Sequence, residues 1–321
     1  MVKLTGNVRE FAKQRMHVGA LVIDGGTDLF GKHSNGQNWY VDSAASANGD
    51  GRSPGNAFDT LDEAFAAVTA NRGDIIYVMP NHAETITGVG GIAHDVAGIA
   101  VVGLGVGNQR PRFLMDGATT VTYLITADDA YVQNLVFASG HSDVVTCINV
   151  SAAKYTSLVD LEFTDNTTNE NWLTPIKVTS TTNNDSDGLK VENCRWTSID
   201  AGGLEFIEVN ADIKAMAVRD NFVVHEGTAS ALVLFATGKD MQYGDIEGNF
   251  LSHKMTANEL LVNIDTSANS GIIAHNRVGH ADVTSTHDLG INGLGCRLFD
   301  NLSVSTDALS GVVLPAIDVN S

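Results

Sequence analysis

Apolar and polar positions follow two different rhythms along this chain of 321 residues. The first is helical. Leu61, Ala64, Phe65 and Val68 fall at i, i+3, i+4 and i+7 and make one apolar stripe. Thr60 and Glu63 precede it in a T-x-x-E arrangement, in which each side chain can satisfy an orphan N–H. Gly73 is a natural stop. The pattern predicts a helix over 57–72 with Thr60, Leu61, Glu63, Phe65 and Val68 as its cap and buried face. A short strand, "YVD" at 40–42, lies before it, and a buried strand, "DIIYVMP", follows and ends at Pro80.

From residue 99 onward the rhythm is shorter, and it repeats. An aliphatic residue is followed by any residue, then Asn or Asp, then a large apolar residue shortly after. The copies are "VQNLVF", "LVDLEF", "VENCRW", "VRDNFV", "IEGNFL", "IAHNRV" and "LFDNLS", starting at Val132, Leu158, Val191, Val218, Ile246, Ile273 and Leu298. Successive starts are separated by 26, 33, 27, 28, 27 and 25 residues. A second apolar series lies between them: "TCINV", "TPIKV", "FIEVN", "LVLFA" and "LLVNI". A period near 27 with β-branched strands and no helix predicts an all-β fold. We expect a single-stranded parallel β-helix of roughly 8–9 coils, with an N-terminal capping helix. Scarce proline (5) and plentiful glycine (32) suit it, because every N–H is wanted for a ladder and every coil has turns.

Stacking makes equivalent positions spatial neighbours. Asn134, Asp160, Asn193, Asn221, Asn249, Asn276 and Asn301, taken from the motif's third position and its successor, are expected to form a structural corner ladder. Asn and Asp tolerate left-handed backbone and bond their own backbone at a sharp corner. One position earlier, Glu192, Arg219 and Glu247 lie in successive coils and predict an acid–base–acid ladder on the surface. Read as a glycosidase pair instead, the two glutamates would stand two coils, or roughly 10 Å, apart. Phe137, Phe163 and Trp196 share a position that is either core or, if it faces outward, a sugar platform.

Charge narrows the partners. The chain carries 38 Asp+Glu against 19 Lys+Arg, a formal net charge of −19, which repels a phosphate backbone. Nucleic acid is therefore not expected. No segment reaches 18 apolar residues, so no membrane span is expected. Cys147, Cys194 and Cys296 are odd in number and form no CxxC pair, which argues against a disulfide framework or structural zinc and for a reducing compartment. Residues 1–38 differ in composition, with Lys3, Arg9, Lys13 and Arg15 among short apolar runs, and read as an attachment arm or a loosely docked terminus. That leaves 39–321 as the β-helix domain.

Familiar site motifs fail. Counting Ser46 as position 1 of a calcium loop in "SANGDG" puts Ala57 at position 12, where a bidentate Glu is required. The histidines form no HExxH, and "GLGVGNQRPRF" holds neither GxGxxG nor a P-loop. No cofactor and no metal site are expected.

The stretch "YVDSAASANGDGRSPGNAFDTLDEAFAAV" followed by "GDIIYVMPNHAETI" resembles the opening coils of pectate-lyase-like right-handed parallel β-helix proteins. Tyr40, Val41, Asp42, Gly49, Asp50, Gly51, Ser53, Pro54, Phe58, Thr60, Ala64, Gly73, Asp74 and Ile76 carry the likeness, with Asn81 where the family commonly has Gly. The continuation "DVAGIAVVGLGVGNQRP" and "LITADDAYVQNLVF" resembles bacteriophage β-helix proteins, and the likeness spans about residues 39–310. It implies a non-enzymatic virion protein, a capsid decoration or cement protein or head spike, assembled in the host cytoplasm. It further implies a homotrimer, held to the major capsid protein or another virion protein through residues 1–38. The alternative is a tailspike-like protein that binds or depolymerises a host glycan, with Glu192, Glu247, Glu205, Glu208 and Asp212 as candidate acids. The enzyme branches are not matched residue by residue. Only "RPR" at Arg110–Arg112 echoes the Arg-x-Pro-x-x-Arg of pectate lyases, and the Asn-Thr-Asp and Arg-Ile-Lys of polygalacturonases are missing.

Overall fold

The computed structural model describes residues 36–45, 49–226, 231–253, 260–264, 268–280, 290–293, 295–305 and 312–314. The expected attachment arm falls outside the described residues up to position 35. Residues 36–38 belong to the first coil, because Asn38 opens the strand Asn38–Val41 and the Gln37 N–H donates to Asp74.

The chain winds through three parallel sheets of 10, 8 and 10 strands, a parallel β-solenoid. One coil reads Tyr131–Gln133 in the first sheet, a corner, Val136–Ser139 in the second sheet, a loop, and Val144–Val150 in the third. Each strand pairs in register with its counterpart one coil away. The first residues of the seven motif copies form a single inward column, Val132, Leu158, Val191, Val218, Ile246, Ile273 and Leu298, all buried. In the second sheet the inward column runs Phe113, Phe137, Phe163, Trp196, Val223, Leu251 and Val278. Phe137, Phe163 and Trp196 are fully buried, with ring centroids 5.8 Å apart for the Phe pair, so the aromatic row is core and not a platform. Among the described strands, Val312–Leu314 departs from parallel pairing and lies antiparallel on Asn301–Ser305.

The corner between the first and second sheets separates the predicted ladder into two positions. The left-handed residue is Asn134, Asp160, Asn193, Asp220, Gly248, His275 and Asp300, with φ between 51° and 70°. The next residue points inward and reads Leu135, Leu161, Cys194, Asn221, Asn249, Asn276 and Asn301, all buried. Asn134, Asp160 and Asn193 are therefore turn formers, while Asn221, Asn249, Asn276 and Asn301 make the actual stack. Within it the Nδ2 groups of Asn221, Asn249 and Asn276 each donate 2.9 Å to the next Oδ1, and all four Nδ2 groups donate 2.8–2.9 Å to a backbone carbonyl. The backbone N–H of Cys194, Asn221, Asn249 and Asn276 each donates to the next Oδ1. A buried Asn thus has every donor satisfied, which turns a costly polar group into a register pin.

The capping helix, α1, spans Leu61–Ala67 rather than 57–72. Phe58 is withheld from it because its backbone bridges Val41 and bonds Tyr40 and Asp42. The C-terminal end stops at Val68, since the Thr69 N–H donates to Asp74 Oδ2 at 3.0 Å and the Asn71 N–H to the Ala97 carbonyl. Thr60 Oγ1 does cap the Glu63 N–H at 3.4 Å, but the Leu61 N–H is met by Glu84 Oε2 at 3.0 Å. Leu61, Ala64 and Phe65 are buried against the first coils, and Val68 packs at their margin. The "NGDG" loop, described from Gly49, is a turn. Gly51 has φ 66° with its Cα against the Phe58 ring, and Asp50 accepts the Arg52 N–H at 3.0 Å.

Asp74 ties this end together. Burial alone would raise its pKa, but donors from Arg72, Gln37, Thr69 and Trp39 override that and hold the carboxyl at about 2. His94 shows the opposite balance. It is fully buried beside Phe65, with ring centroids 4.7 Å apart, and burial pushes its pKa down to about 3.

Two outcomes follow. Asn249→Ala removes two donated and two accepted bonds from a buried site, and should destabilise the fold by about 3 kcal/mol in urea unfolding. An unchanged midpoint would show that the stack pins nothing. His94 takes up a proton in the unfolded chain below about pH 6.5 but not in the folded one. Its contribution is therefore complete above that pH and drains away as pH falls toward 3. The slope of stability against pH between 6.5 and 4 should flatten in His94→Gln.

Candidate functional site

The carboxylates proposed from sequence do not come together. Glu192 and Glu247 lie on the outer face of the first sheet, in register through Arg219. Arg219 bonds Glu192 at 3.4 Å but turns its other side to Asp245, at 2.5 and 3.1 Å, and not to Glu247. The shorter Asp245 sits two residues earlier on the same face, within the reach of the guanidinium. Glu247 pairs with His275 Nδ1 at 2.8 Å, whose Nε2 is 3.5 Å from Asp300. The expected acid–base–acid ladder is thus two separate groups. Glu208 lies on the third sheet and pairs with Lys177 at 2.6 Å. Glu205 enters the same strand, its pKa raised first by burial and further by Glu208. Asp212 is in a turn, where its carboxylate accepts the Asp240 N–H at 3.0 Å. The candidates thus divide between the first sheet (Glu192, Glu247), the third sheet (Glu205, Glu208) and a loop (Asp212), and Glu192, Glu208 and Glu247 are each engaged by a cation or a histidine.

A concave polar site exists elsewhere, and it arises from one irregular corner. Later coils turn from the first sheet to the second in two residues. The coil holding the strands Ala100–Gly103 and Arg112–Met115 takes Leu104–Pro111 to do so, including a 3-10 turn at Gly107–Gln109. The longer loop stands over the corners of the next coils and walls a groove. One part, about 620 Å³, is lined by Gly107, Asn108, Arg110, Arg112, Glu162 and Arg195 among others. An adjoining part of about 290 Å³ reaches the corner residues Asn134, Asp160 and Asn193.

Arg110 is the floor of this groove. It crosses to later coils, bonds Glu162 at 2.7 Å and the Leu135 carbonyl at 3.1 Å, and donates to the Asp160 carbonyl. These carbonyls belong to the coils where Leu135 and Leu161 stand in place of Asn, so an external guanidinium meets oxygens beyond the Asn stack. Two buried polar atoms at the groove stay without a partner, Arg110 Nε and Thr164 Oγ1. Arg112 and Arg195 are exposed and take part in no ion pair among the described residues.

The groove opens onto a row. Register places Arg112, Val136, Glu162, Arg195, Phe222, Phe250 and Arg277 side by side on the outer face of the second sheet. Phe222 is 44% exposed and stacks on Phe250, with centroids 4.9 Å apart and planes 9° off parallel. Sequence reasoning missed this row. Its signal is the fifth residue of each motif copy, which reads Val, Glu, Arg, Phe, Phe, Arg and Leu. Among the described residues no cluster of His, Cys, Asp and Glu is arranged to hold a metal ion. The three cysteines are buried free thiols, and burial pushes Cys194 up to about 12 and Cys296 to about 11.

No protein family matches the chain, and no curated protein does. Among solved structures, a rhamnogalacturonan lyase matches over 83% of this chain and 80% of its own, at 12% identity and a TM-score of 0.43.

Proposed function

We propose that this chain is a non-catalytic structural protein of a bacteriophage virion, a trimeric capsid decoration protein or head spike. The observation that carries the non-catalytic part is the placement of its carboxylates. Glu192, Glu208 and Glu247 are each held by a cation or a histidine, and the five candidate acids divide between the first sheet, the third sheet and a loop. A hydrolase of the two-carboxylate kind needs both acids flanking one bond, roughly 5–10 Å apart. The virion part rests on the resemblance of "DVAGIAVVGLGVGNQRP" and its continuation to phage β-helix proteins. A stack of in-register coils with a capped end suits a rigid body on a particle, since its ladders are internally satisfied. In this reading residues 1–35 anchor the chain to the major capsid protein or another virion protein, and the acidic coils face solvent.

Purified particles should contain the full chain, and particles stripped of it should take it back. A chain lacking residues 1–35 should fold, by circular dichroism, and fail to bind particles. Equal binding by that truncation would sink the anchor assignment. Release of new reducing ends from host capsular polysaccharide or lipopolysaccharide would sink the non-catalytic reading.

A further inference from the structure

The geometry points to a binding track for an acidic oligosaccharide along the outer face of the second sheet, beginning in the groove beside Arg110. The ligand would lie parallel to the solenoid axis, with its carboxylate or sulfate groups on the arginines, and no bond in it is broken.

Charge is the first argument. Acidic residues outnumber basic ones two to one in this chain, yet one outward row gathers Arg112, Arg195 and Arg277, with Arg110 at its side. Among the described residues Arg112 and Arg195 have no ion pair, which leaves their guanidinium groups available to an incoming anion. Guanidinium forks match a carboxylate or sulfate with two parallel bonds.

Spacing is the second. Arg112 and Arg195 are three strands apart, through Val136 and Glu162. Arg195 and Arg277 are again three strands apart, through Phe222 and Phe250. Three spacings of about 4.8 Å make each interval about 14 Å. Evenly placed single charges suit a long ligand with sparse acidic groups. They do not suit a nucleic acid, which carries a charge about every 3.4 Å per strand and would be repelled by the rest of the surface.

The intervals supply the third. Between the first two arginines lie a carboxylate acceptor, Glu162, and the unpartnered Thr164 hydroxyl, both suited to sugar hydroxyls. Between the second and third lies the stacked pair of exposed Phe222 and half-buried Phe250, an apolar surface for the C–H side of a sugar ring. An extended peptide would instead seek an unpaired strand edge, and this face is formed by strands already paired on both sides.

The test uses the full chain and calorimetry with four probes: a set of oligogalacturonates of increasing length, heparin fragments, neutral dextran oligomers and poly-glutamate. Oligogalacturonate or heparin should bind, and the stronger of the two identifies the carboxylate or the sulfate as the preferred acid. Dextran should not bind. Affinity should step up once the oligomer spans Arg112 to Arg195, and should fall between about 50 and 200 mM salt. The exposed double variant Arg112→Gln/Arg195→Gln should keep its melting temperature and lose about tenfold or more in affinity. Arg297→Gln, exposed on the first sheet, should bind as the parent does. Absence of binding by both charged sugars, binding independent of length, full affinity in the double variant, or equal binding of poly-glutamate would each overturn the track. None of these outcomes bears on particle attachment, which is read separately with the chain lacking residues 1–35.

Discussion

Away from the ends, the described strands of this protein satisfy their backbone through the coils above and below them, so a residue's decisive neighbours are about one period away in sequence. That constraint explains the regularity of the core. A parallel ladder in register puts Val132 on Leu158 and Leu158 on Val191, and an inward polar residue at such a place must bond up and down the stack. The Asn221–Asn301 column does so through side-chain donors and acceptors. The Leu135 and Leu161 corners fill the same place with apolar volume. The two solutions meet at Cys194, whose N–H is held by Asn221 while its thiol lies 3.6 Å from the Leu158 carbonyl.

The same constraint makes the ends special. Among the described residues the first strand stands at the edge of its sheet, and its end of the coil stack needs a different cover. Helix α1 lays Leu61 and Phe65 over that opening, and the buried Asp74 carboxylate fastens the strand, the post-helix loop and Arg72 together. The cost appears in buried ionisable groups such as His94, kept neutral by an apolar pocket that its cap creates.

Departures from regularity are where chemistry collects. The chain from Leu104 to Pro111 adds residues to one corner, and the excess forms a wall, delivers Arg110 to carbonyls of later coils, and leaves a polar hollow outside the sheet. By contrast, Glu192–Arg219–Asp245 on the first sheet and Lys177–Glu208 on the third are ion pairs that neutralise one another and offer little to a ligand.

Periodicity in the sequence was enough to determine the solenoid, the inward column of the motif's first residues and the existence of a capping helix, because each follows from local alternation and a repeat length, whereas the aromatic row became core only once the fold placed it inside. The corner residues were legible as a class but not as two positions, since Asn serves equally as a left-handed turn former and as a buried stack member. Helix length was decided by tertiary contacts, when Phe58 joined a strand and Asp74 took the Thr69 N–H. Ion-pair partners were also decided in space, because Arg219 chooses between Asp245 and Glu247 by reach and not by register. The row from Arg112 to Arg277 was written in the fifth letter of each repeat, yet only the coil stacking made those letters adjacent and left them facing out.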